Sequence, residues 1–257
     1  MGRPMAEALH AAGFETWGLD IRPPDDYGAF RDRMTDDAAA FAGRPQLLFS
    51  VVRDIPQTEA LLFGPAGVIG GAERLETLVI SSTVSPRYVR ELRERLPRHI
   101  ALVDAPMSGA PIAAQERRLS FMLGGETEVL DRIEPVLRAM GTRLHRMGGL
   151  GAGMTAKVLN NLSAAASITV TRMAMEWGEA LGVAPAALRA VMHDSSGQTW
   201  FGSNFEQIAF AREGYDAENT IGIVAKDVAS ALDVAPPDAD TALPEALIDA
   251  LRTLRPI

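Results

Sequence analysis

Residues 77–109, TLVISSTVSPRYVRELRERLPRHIALVDAPMSG, decide the fold. An apolar strand over Thr77–Ser81 is followed by a helix from Pro86 to Leu96 and by a second apolar strand over Ile100–Asp104. Strands of this kind, joined by a helix, are typical of a parallel sheet that helices cover on both faces. The same alternation continues outward, with strands predicted at Glu15–Asp20, Leu47–Val52 and Leu119–Leu123 and helices at 3–12 and Ile55–Phe63.

The composition of the chain changes near residue 150. Most of the glycines and prolines come before this point, whereas alanine is enriched after it. The stretch from Met154 to Leu181 contains no proline and predicts a long helix, with shorter helices near 186–193, 199–211, 220–234 and 243–254. We therefore expect an α/β domain over residues 1–150, with a Rossmann-type, doubly wound, mainly parallel sheet, and an all-α domain over residues 151–257.

Charge and composition exclude several classes of function. The net charge of −8 argues against nucleic acid or an anionic membrane as the main partner. The absence of cysteine excludes a disulfide framework, a cysteine-ligated metal site and a thiol nucleophile, and the four histidines show no metal-binding spacing. No apolar run approaches the ~18 residues that span a bilayer. We expect a soluble, cytoplasmic, metal-independent protein.

Lysine is rare in this chain. Of its 25 basic residues, only Lys157 and Lys226 are lysines, and the rest are arginines. Arginine stays protonated near neutral pH, whereas a lysine whose pKa is lowered can exchange a proton. Lys157 and Asn161 are four residues apart on the predicted long helix, so their side chains lie on the same face. Either the two lysines remain by chance, or they perform work that arginine cannot do.

The chain begins directly on a helix, with MGRPMA, whereas a dinucleotide-binding fold starts with a strand and a glycine-rich turn. If Gly2 is the third glycine of G-x-G-x-x-G, Asp20 lies ~20 residues after the glycines, where a carboxylate binds ribose hydroxyls. Otherwise Gly2 is only the second residue of a different fold. A sheet without its central strand leaves buried backbone groups unpaired at roughly 1–3 kcal/mol each. We therefore expect the natural protein to begin about ten residues or more upstream, and the 257-residue chain to be poorly soluble or to bind NAD very weakly.

Five short blocks resemble the β-hydroxyacid dehydrogenase family in order and spacing. They are MGRPMA at 1–6, STVSP at 82–86, DAPMSG at 104–109, KVLNN at 157–161 after the glycines 151 and 153, and KDV at 226–228. The resemblance implies reversible oxidation of a small 3-hydroxy acid, similar to 3-hydroxyisobutyrate, by NAD, with NADP possible. The sequence departs from the family at Ala110, where a second glycine is common, and this leaves the identity of the acid open.

The resemblance also assigns roles to individual residues. Lys157 is the expected general acid/base. The substrate would be bound by Ser108, Gly109, Asn161 and Lys226, and the cofactor by Gly2, Asp20, Arg22, Val52, Arg53, Thr83 and Lys226. Arg53 stands where a proline is common in the family. It either faces the cofactor or is a solvated loop residue. Thr83 contacts the cofactor or caps a helix, although Ser85 fits the cap better.

Two alternatives stay open at this stage. One is an imine-type reductase of the same fold, a class that generally lacks the lysine. The other is a non-catalytic dinucleotide-fold protein that lacks its first strand.

The predicted helical domain carries large apolar residues, among them Met173, Met175 and Trp177. One small domain is unable to cover them all, so we expect a homodimer or homotetramer formed through the C-terminal domain.

Overall fold

The computed structural model describes the backbone of residues 1–257 and all side chains except those of residues 110 and 111. The chain forms two compact units, Met1–Lys157 and Val158–Ile257. The first unit is a sheet with helices and the second is helical, so the expected fold class is confirmed. The boundary falls within one long helix, α7, which runs over Ala152–Ala180.

The first unit alternates helices with short strands. Its helices are α1 Gly2–Ala11, α2 Ala38–Ala42, α3 Ile55–Phe63, α4 Pro86–Arg95, α5 Ala110–Gln115 and α6 Thr127–Met140. Its strands are β1 Gly18–Leu19, β2 Met34–Thr35, β3 Leu47–Ser50, β4 Thr77–Ile80, β5 Ala101–Asp104, β6 Met107–Ser108, β7 Leu119–Gly124 and β8 Gly141–Gly148. The 3₁₀ segments Pro24–Arg33 and Val68–Gly71 complete it. The predicted strand Glu15–Asp20 is reduced to the two residues of β1.

Strands β3, β4 and β5 form the parallel part of the sheet. They pair in register, so that Ile80 lies opposite Ser50 on one side and Asp104 on the other. Beyond β5 the sheet is mixed, because β7 pairs antiparallel with β5 and β6 and parallel with β8. Strands β1 and β2 form a separate parallel pair. The aligned carboxyl ends of β3, β4 and β5 form the edge at which ligands of doubly wound sheets bind.

Both faces of the sheet are buried, as the apolar strands predict. Along β4, Leu78 and Ile80 point into one apolar cluster and Val79 points into another, since side chains alternate along a strand. Helices α3 and α4 cover the first cluster, and α1 and α6 cover the second. This two-sided burial fixes the strand ends, and so the loops that follow them.

Side-chain caps determine where the helices after β3 and β4 begin. The Asp54 carboxylate accepts the Gln57 backbone N–H at 2.9 Å and starts α3. The Ser85 hydroxyl accepts the Arg87 N–H at 3.1 Å and starts α4, with Pro86 in the first turn. Ser85 is therefore the cap, and Thr83 lies in the loop before it.

Two glycines allow the backbones of β7 and α7 to approach closely. A Cβ at Gly124 would lie 2.3 Å from the Asp104 carboxylate, and a Cβ at Gly153 would lie 2.3 Å from the Met122 carbonyl oxygen. No side chain fits at such distances, so glycine is required at both positions. The contact seats the first turn of α7 against the end of the sheet.

The second unit is built from helices. After α7 come α8 Pro185–His193, α9 Trp200–Ser203, α10 Thr220–Leu232 and α11 Ala242–Thr253. The predicted helix 199–211 is wrong beyond Ser203. The Asn204 side chain donates to the Trp200 carbonyl at 2.8 Å at the helix end and so competes with continuation of the helix. In the described chain no helix is both long enough and apolar enough to cross a membrane.

A buried arginine joins distant segments of the second unit. The Arg172 guanidinium, on α7, donates to the backbone carbonyls of Ala211 at 2.8 Å and Glu213 at 3.0 Å, and to that of Arg255. Burial lowers the pKa of Arg172, but arginine remains charged at any pH that the fold tolerates. One side chain thus binds three backbone carbonyls from two segments, 211–213 and Arg255.

The close approach of β7 and α7 gives a prediction with a matched control. Gly153→Ala should lower the free energy of unfolding by about 3 kcal/mol, because its Cβ meets a backbone oxygen that cannot move aside. Gly149→Ala, four residues earlier, meets nothing within 4 Å and should stay within ~0.5 kcal/mol of the parent. Urea unfolding followed by tryptophan fluorescence measures both. Equal stabilities would show that the junction tolerates a side chain.

Candidate functional site

The N-terminus of α1 lies beside two of the predicted cofactor elements. A Cβ on Gly2 would lie 3.7 Å from the Val51 side chain, directly after β3. The charges of Asp20 and Arg22 act on the Met1 amino group, which places the end of β1 near the same helix turn. Helix α1 has no side-chain cap and no acidic residue in its first turn. Its backbone N–H groups therefore suit an anion such as a pyrophosphate.

Asp20 and Arg22, both of which the resemblance assigns to the cofactor, bind each other. The Arg22 backbone N–H donates to Asp20 Oδ1 at 3.1 Å, and the guanidinium Nη2 lies 3.6 Å from Asp20 Oδ2. The same guanidinium donates to the Tyr27 hydroxyl at 2.9 Å. Burial favours the protonated form of Asp20, but hydrogen bonds from Tyr27 and Arg22 outweigh it and lower the pKa of the carboxyl. The carboxylate at the end of β1 is therefore ionised and held in place.

The loops after β3 and β4 carry the next predicted residues. Val52 and Arg53 are half-buried, and the Arg53 backbone N–H donates to the Gln57 side chain at 3.0 Å. Both interpretations of Arg53, as a residue that faces the cofactor and as a loop residue in contact with solvent, stay predictions. At these strand ends the buried hydroxyls of Ser50 and Ser81 have no hydrogen-bond partner among the described residues. Buried unpaired hydroxyls at a ligand-binding edge are suitable donors for a bound polar group.

Ser108 and Gly109 follow β5 closely. Ser108 lies on β6 opposite Ser120, and Gly109 begins α5 with a φ of 136°. A Cβ at Gly109 would lie 2.5 Å from the Ala113 Cβ, so both the backbone angle and the space require glycine. The departure from the family pattern at Ala110 concerns a side chain outside the described part.

Lys157 is buried and lies one turn into α7. Its relative exposure is 9%, and three residues before it the Met154 N–H donates to Asp104 Oδ2 at 2.5 Å. Asp104 Oδ1 accepts the Gly151 N–H at 2.7 Å. Burial raises the pKa of Asp104 to about 6, opposed by these two N–H groups and by the charge of Arg90. The carboxylate is ionised at neutral pH and occupies the helix N-terminus, where a negative charge is stabilised.

Met154 also connects α7 with the loop after β4. Its sulfur lies 3.5 Å from the Val84 backbone nitrogen, next to Thr83. The first turn of α7, which leads to Lys157, is thus joined both to the Thr83 loop and to the end of β5. The sequence alone assigned no role to Asp104 or Met154. The position of Asp104 at the end of an apolar strand was the feature that could have indicated one.

Asn161 and Lys226, in the second unit, meet at Asp227. The Asn161 amide nitrogen donates to Asp227 Oδ2 at 2.5 Å, and Lys226 Nζ lies 2.7 Å from Asp227 Oδ1. Asn160 donates to the Asn161 amide oxygen at 3.1 Å. Asp227 is buried, so it fixes the amide of Asn161 and tethers the ammonium of Lys226.

The two units therefore each hold a group of predicted residues. The first group comprises Gly2, Asp20, Arg22, Val52, Arg53, Thr83, Ser108, Gly109 and Lys157, and the second comprises Asn161 and Lys226.

Comparisons with known proteins agree along nearly the whole chain. Residues 1–149 match the family described as the NAD binding domain of 6-phosphogluconate dehydrogenase, and residues 151–246 match the NAD-binding domain of NADP-dependent 3-hydroxyisobutyrate dehydrogenase. The chain is 31% identical to L-threonate dehydrogenase from Cupriavidus necator over 241 residues, which are 91% of this chain and 80% of the relative. It is 32% identical to 3-hydroxyisobutyrate dehydrogenase from Pseudomonas aeruginosa, over 78% of this chain and 68% of the relative.

A solved structure shows the same fold. The 3-hydroxyisobutyrate dehydrogenase of Salmonella typhimurium superposes with a TM-score of 0.82 at 24% identity, covering 97% of this chain and 89% of that one. The matched domains, the identities above 30% and the order of the sequence blocks all indicate the same family. The chain belongs to the β-hydroxyacid dehydrogenase family.

Proposed function

We propose that the protein transfers a hydride between a nicotinamide cofactor and a small 3-hydroxy acid similar to 3-hydroxyisobutyrate, with Lys157 as general acid/base. The observation that carries the proposal is the burial of Lys157, one of two lysines in an arginine-rich chain, one turn into a helix that is fixed to the carboxyl end of the sheet. A lysine that is kept out of bulk water at the ligand-binding edge of the sheet is suited to exchange a proton with a bound substrate.

Residues around the α1 N-terminus suit the cofactor. The free N–H groups of the first turn, which begins at Gly2, would bind the pyrophosphate, and Asp20 would accept hydrogen bonds from a ribose diol. Val52, Arg53 and Thr83, on the loops after β3 and β4, would line the rest of the cofactor. The bound nicotinamide supplies the hydride chemistry, and the protein positions it and manages the proton.

The proton step falls to Lys157. In the oxidation direction its neutral amine takes the proton of the substrate hydroxyl, and in reduction its ammonium returns that proton to the carbonyl oxygen. Proton transfer of this kind contributes roughly 10²–10⁴-fold to the rate. Arginine at the same position would keep the charge but would not release a proton near neutral pH.

Polar donors serve the rest of the substrate. Ser108 and the Gly109 backbone N–H suit a carboxylate, since both are donors at the ligand-binding edge of the sheet. Asn161, with its amide fixed by Asp227, would bind the hydroxyl or the carboxylate, and Lys226 would contact substrate and cofactor. We also propose a cytoplasmic location for this activity.

The proposal predicts that Lys157→Arg loses at least ~10²-fold in kcat while the Kd for NAD changes little. Stopped-flow absorbance of the reduced nicotinamide with a panel of 3-hydroxy acids measures turnover, and fluorescence titration measures the Kd. Near-normal kcat in the arginine variant would contradict the role of Lys157. If the wild type binds NAD but turns over no member of the panel, the protein is a non-catalytic binder.

Cofactor preference depends on the pair Asp20 and Arg22. We expect kcat/KM to favour NAD, because the ionised Asp20 repels a 2′-phosphate and engages the guanidinium that would otherwise bind it. Asp20→Asn removes that charge and should shift the ratio toward NADP by about tenfold, roughly 1.4 kcal/mol. A wild-type preference for NADP would show that Arg22 determines the choice.

We further propose a homodimer or homotetramer that forms through the second unit. On α7, Val170, Met173, Trp177 and Leu181 are spaced by three or four residues and are exposed, with Trp177 at 61% and Leu181 at 82%. Met175, included in the sequence expectation, lies in the core instead. An exposed apolar row of this size is typical of an interface.

Light scattering at micromolar concentration tests the assembly. We expect a mass of two or four chains for the wild type and a shift toward the monomer for Trp177→Glu, since a buried charge opposes association. The control is Arg87→Glu, which introduces a glutamate at an exposed position on α4, in the first unit. A wild-type mass near 27.5 kDa would rule out the proposed assembly.

A further inference from the structure

We propose that Asp104 is a positioning residue: its carboxylate holds the first turn of α7 to the end of β5, and thereby sets where the Lys157 amine lies relative to the Ser108–Gly109 loop. The inference rests on the proposed function of Lys157. In this proposal the reaction depends on Asp104, although Asp104 does not contact the substrate.

Asp104 itself is not available for chemistry. The residue has a relative exposure of 0%, and both of its carboxylate oxygens are engaged, Oδ1 by the Gly151 N–H at 2.7 Å and Oδ2 by the Met154 N–H at 2.5 Å. A general base must reach the proton that it abstracts. Asp104 therefore acts through the helix that it holds.

The carboxylate is the partner that the helix start requires. The first N–H groups of an α-helix have no acceptor within the helix, and they need one from elsewhere. Here the acceptor comes from a strand 50 residues away, not from a neighbouring cap. The Gly151 carbonyl accepts the Thr155 N–H at 2.9 Å, which places Gly151 at the start of the first turn.

Two short chain segments lead from this anchor to the proposed reaction site. Ser108 follows Asp104 by four residues, and Lys157 follows Met154 by three. A helix rises 1.5 Å per residue, so Lys157 lies ~4.5 Å further along the α7 axis than the anchored N–H. One carboxylate thus fixes the origin of both the substrate loop and the lysine.

At the junction of β5, β7 and α7 the chain segments are too close together for the start of α7 to lie elsewhere. A Cβ at Gly124 would lie 2.3 Å from Asp104 Oδ1 and 2.8 Å from the Gly153 nitrogen, so β5, β7 and α7 are in direct backbone contact there. An asparagine in place of Asp104 offers one acceptor oxygen and one NH₂ group. One of the two backbone N–H groups would then face another donor, and the first turn of α7 has to shift.

Asp104→Asn tests the proposal in the full-length chain. We expect kcat to fall about tenfold or more, with little change in the Kd for NAD, because a shift of ~1 Å in a catalytic group can cost 10²-fold in rate. Amine labelling followed by mass spectrometry gives a second readout, because Lys157 and Lys226 are the only lysines. Labelling of Lys157 relative to Lys226 should rise at least about threefold as the first turn loosens.

Ile133→Ala is the matched control. Ile133 is buried on α6 in the second apolar cluster, which includes no residue of α7, so its truncation lowers stability without removing a contact of that helix. We expect the control to retain kcat and the labelling ratio at a comparable loss in unfolding midpoint. If it lowers both as much as Asp104→Asn does, or if Asp104→Asn changes neither, the positioning role is wrong.

A measurement on the wild type keeps the test decisive where variants do not fold. Hydrogen exchange should show protected amides at Gly151 and Met154, and fast exchange at both would overturn the proposal. Asp104→Ser, a smaller side chain with one acceptor, is the second variant. If the wild type turns over no 3-hydroxy acid while the labelling ratio still rises in Asp104→Asn, the proposed function fails and the anchoring of α7 by Asp104 stands.

Discussion

A single ionised carboxylate lies where three backbones of the first unit meet. Asp104 ends β5, pairs with Gly124 of β7, and accepts two N–H groups from the start of α7. Burial of this charge is unfavourable, but the helix N-terminus stabilises it and the carboxylate in turn satisfies backbone donors that would otherwise be orphaned. Glycine at 124 and 153 is the steric condition for this arrangement, because any side chain there would separate the three elements.

The division of labour between arginine and lysine fits this architecture. Arginine provides structural cations whose charge must not change: Arg172 binds three backbone carbonyls, and Arg95 forms a two-pronged pair with Glu59 that joins α3 and α4. In the proposed function, lysine occupies the two positions where a movable proton or a compact ammonium is useful. Lys157 is buried near the edge of the sheet, and Lys226 is held by its neighbour Asp227.

Apolar strands and helix caps made most of the first unit predictable from sequence. Strands β3, β4 and β5 are short apolar runs bounded by turns, and Ser85 and Pro86 mark the start of α4. Helix α6 and strand β8 were not predicted. Helix α6 contains Pro135, and β8 is polar and exposed, so its strand conformation follows from pairing with β7 and not from its own pattern.

The sequence motifs named candidate residues but not the contacts between them. They named Asn161 and Arg22, whereas a hydrogen-bond partner of each lies far away in sequence or carries no sequence signal. Asn161 and Asp227 are separated by 66 residues, and Tyr27, which binds Arg22, belongs to a 3₁₀ segment without a sequence signal. Periodicity reports which face of an element is buried, and only the tertiary fold brings such partners together.

The guanidinium of Arg172 also has a consequence for how the chain is made. Synthesis proceeds from the N-terminus, so α7 leaves the ribosome long before the carbonyls that its arginine needs. Those at Ala211 and Glu213 follow after about 40 residues, and the one at Arg255 follows after 83. Domains fold in order of emergence. The sheet can form while translation continues, but the helical unit has to wait for its last segment before its buried charge is satisfied.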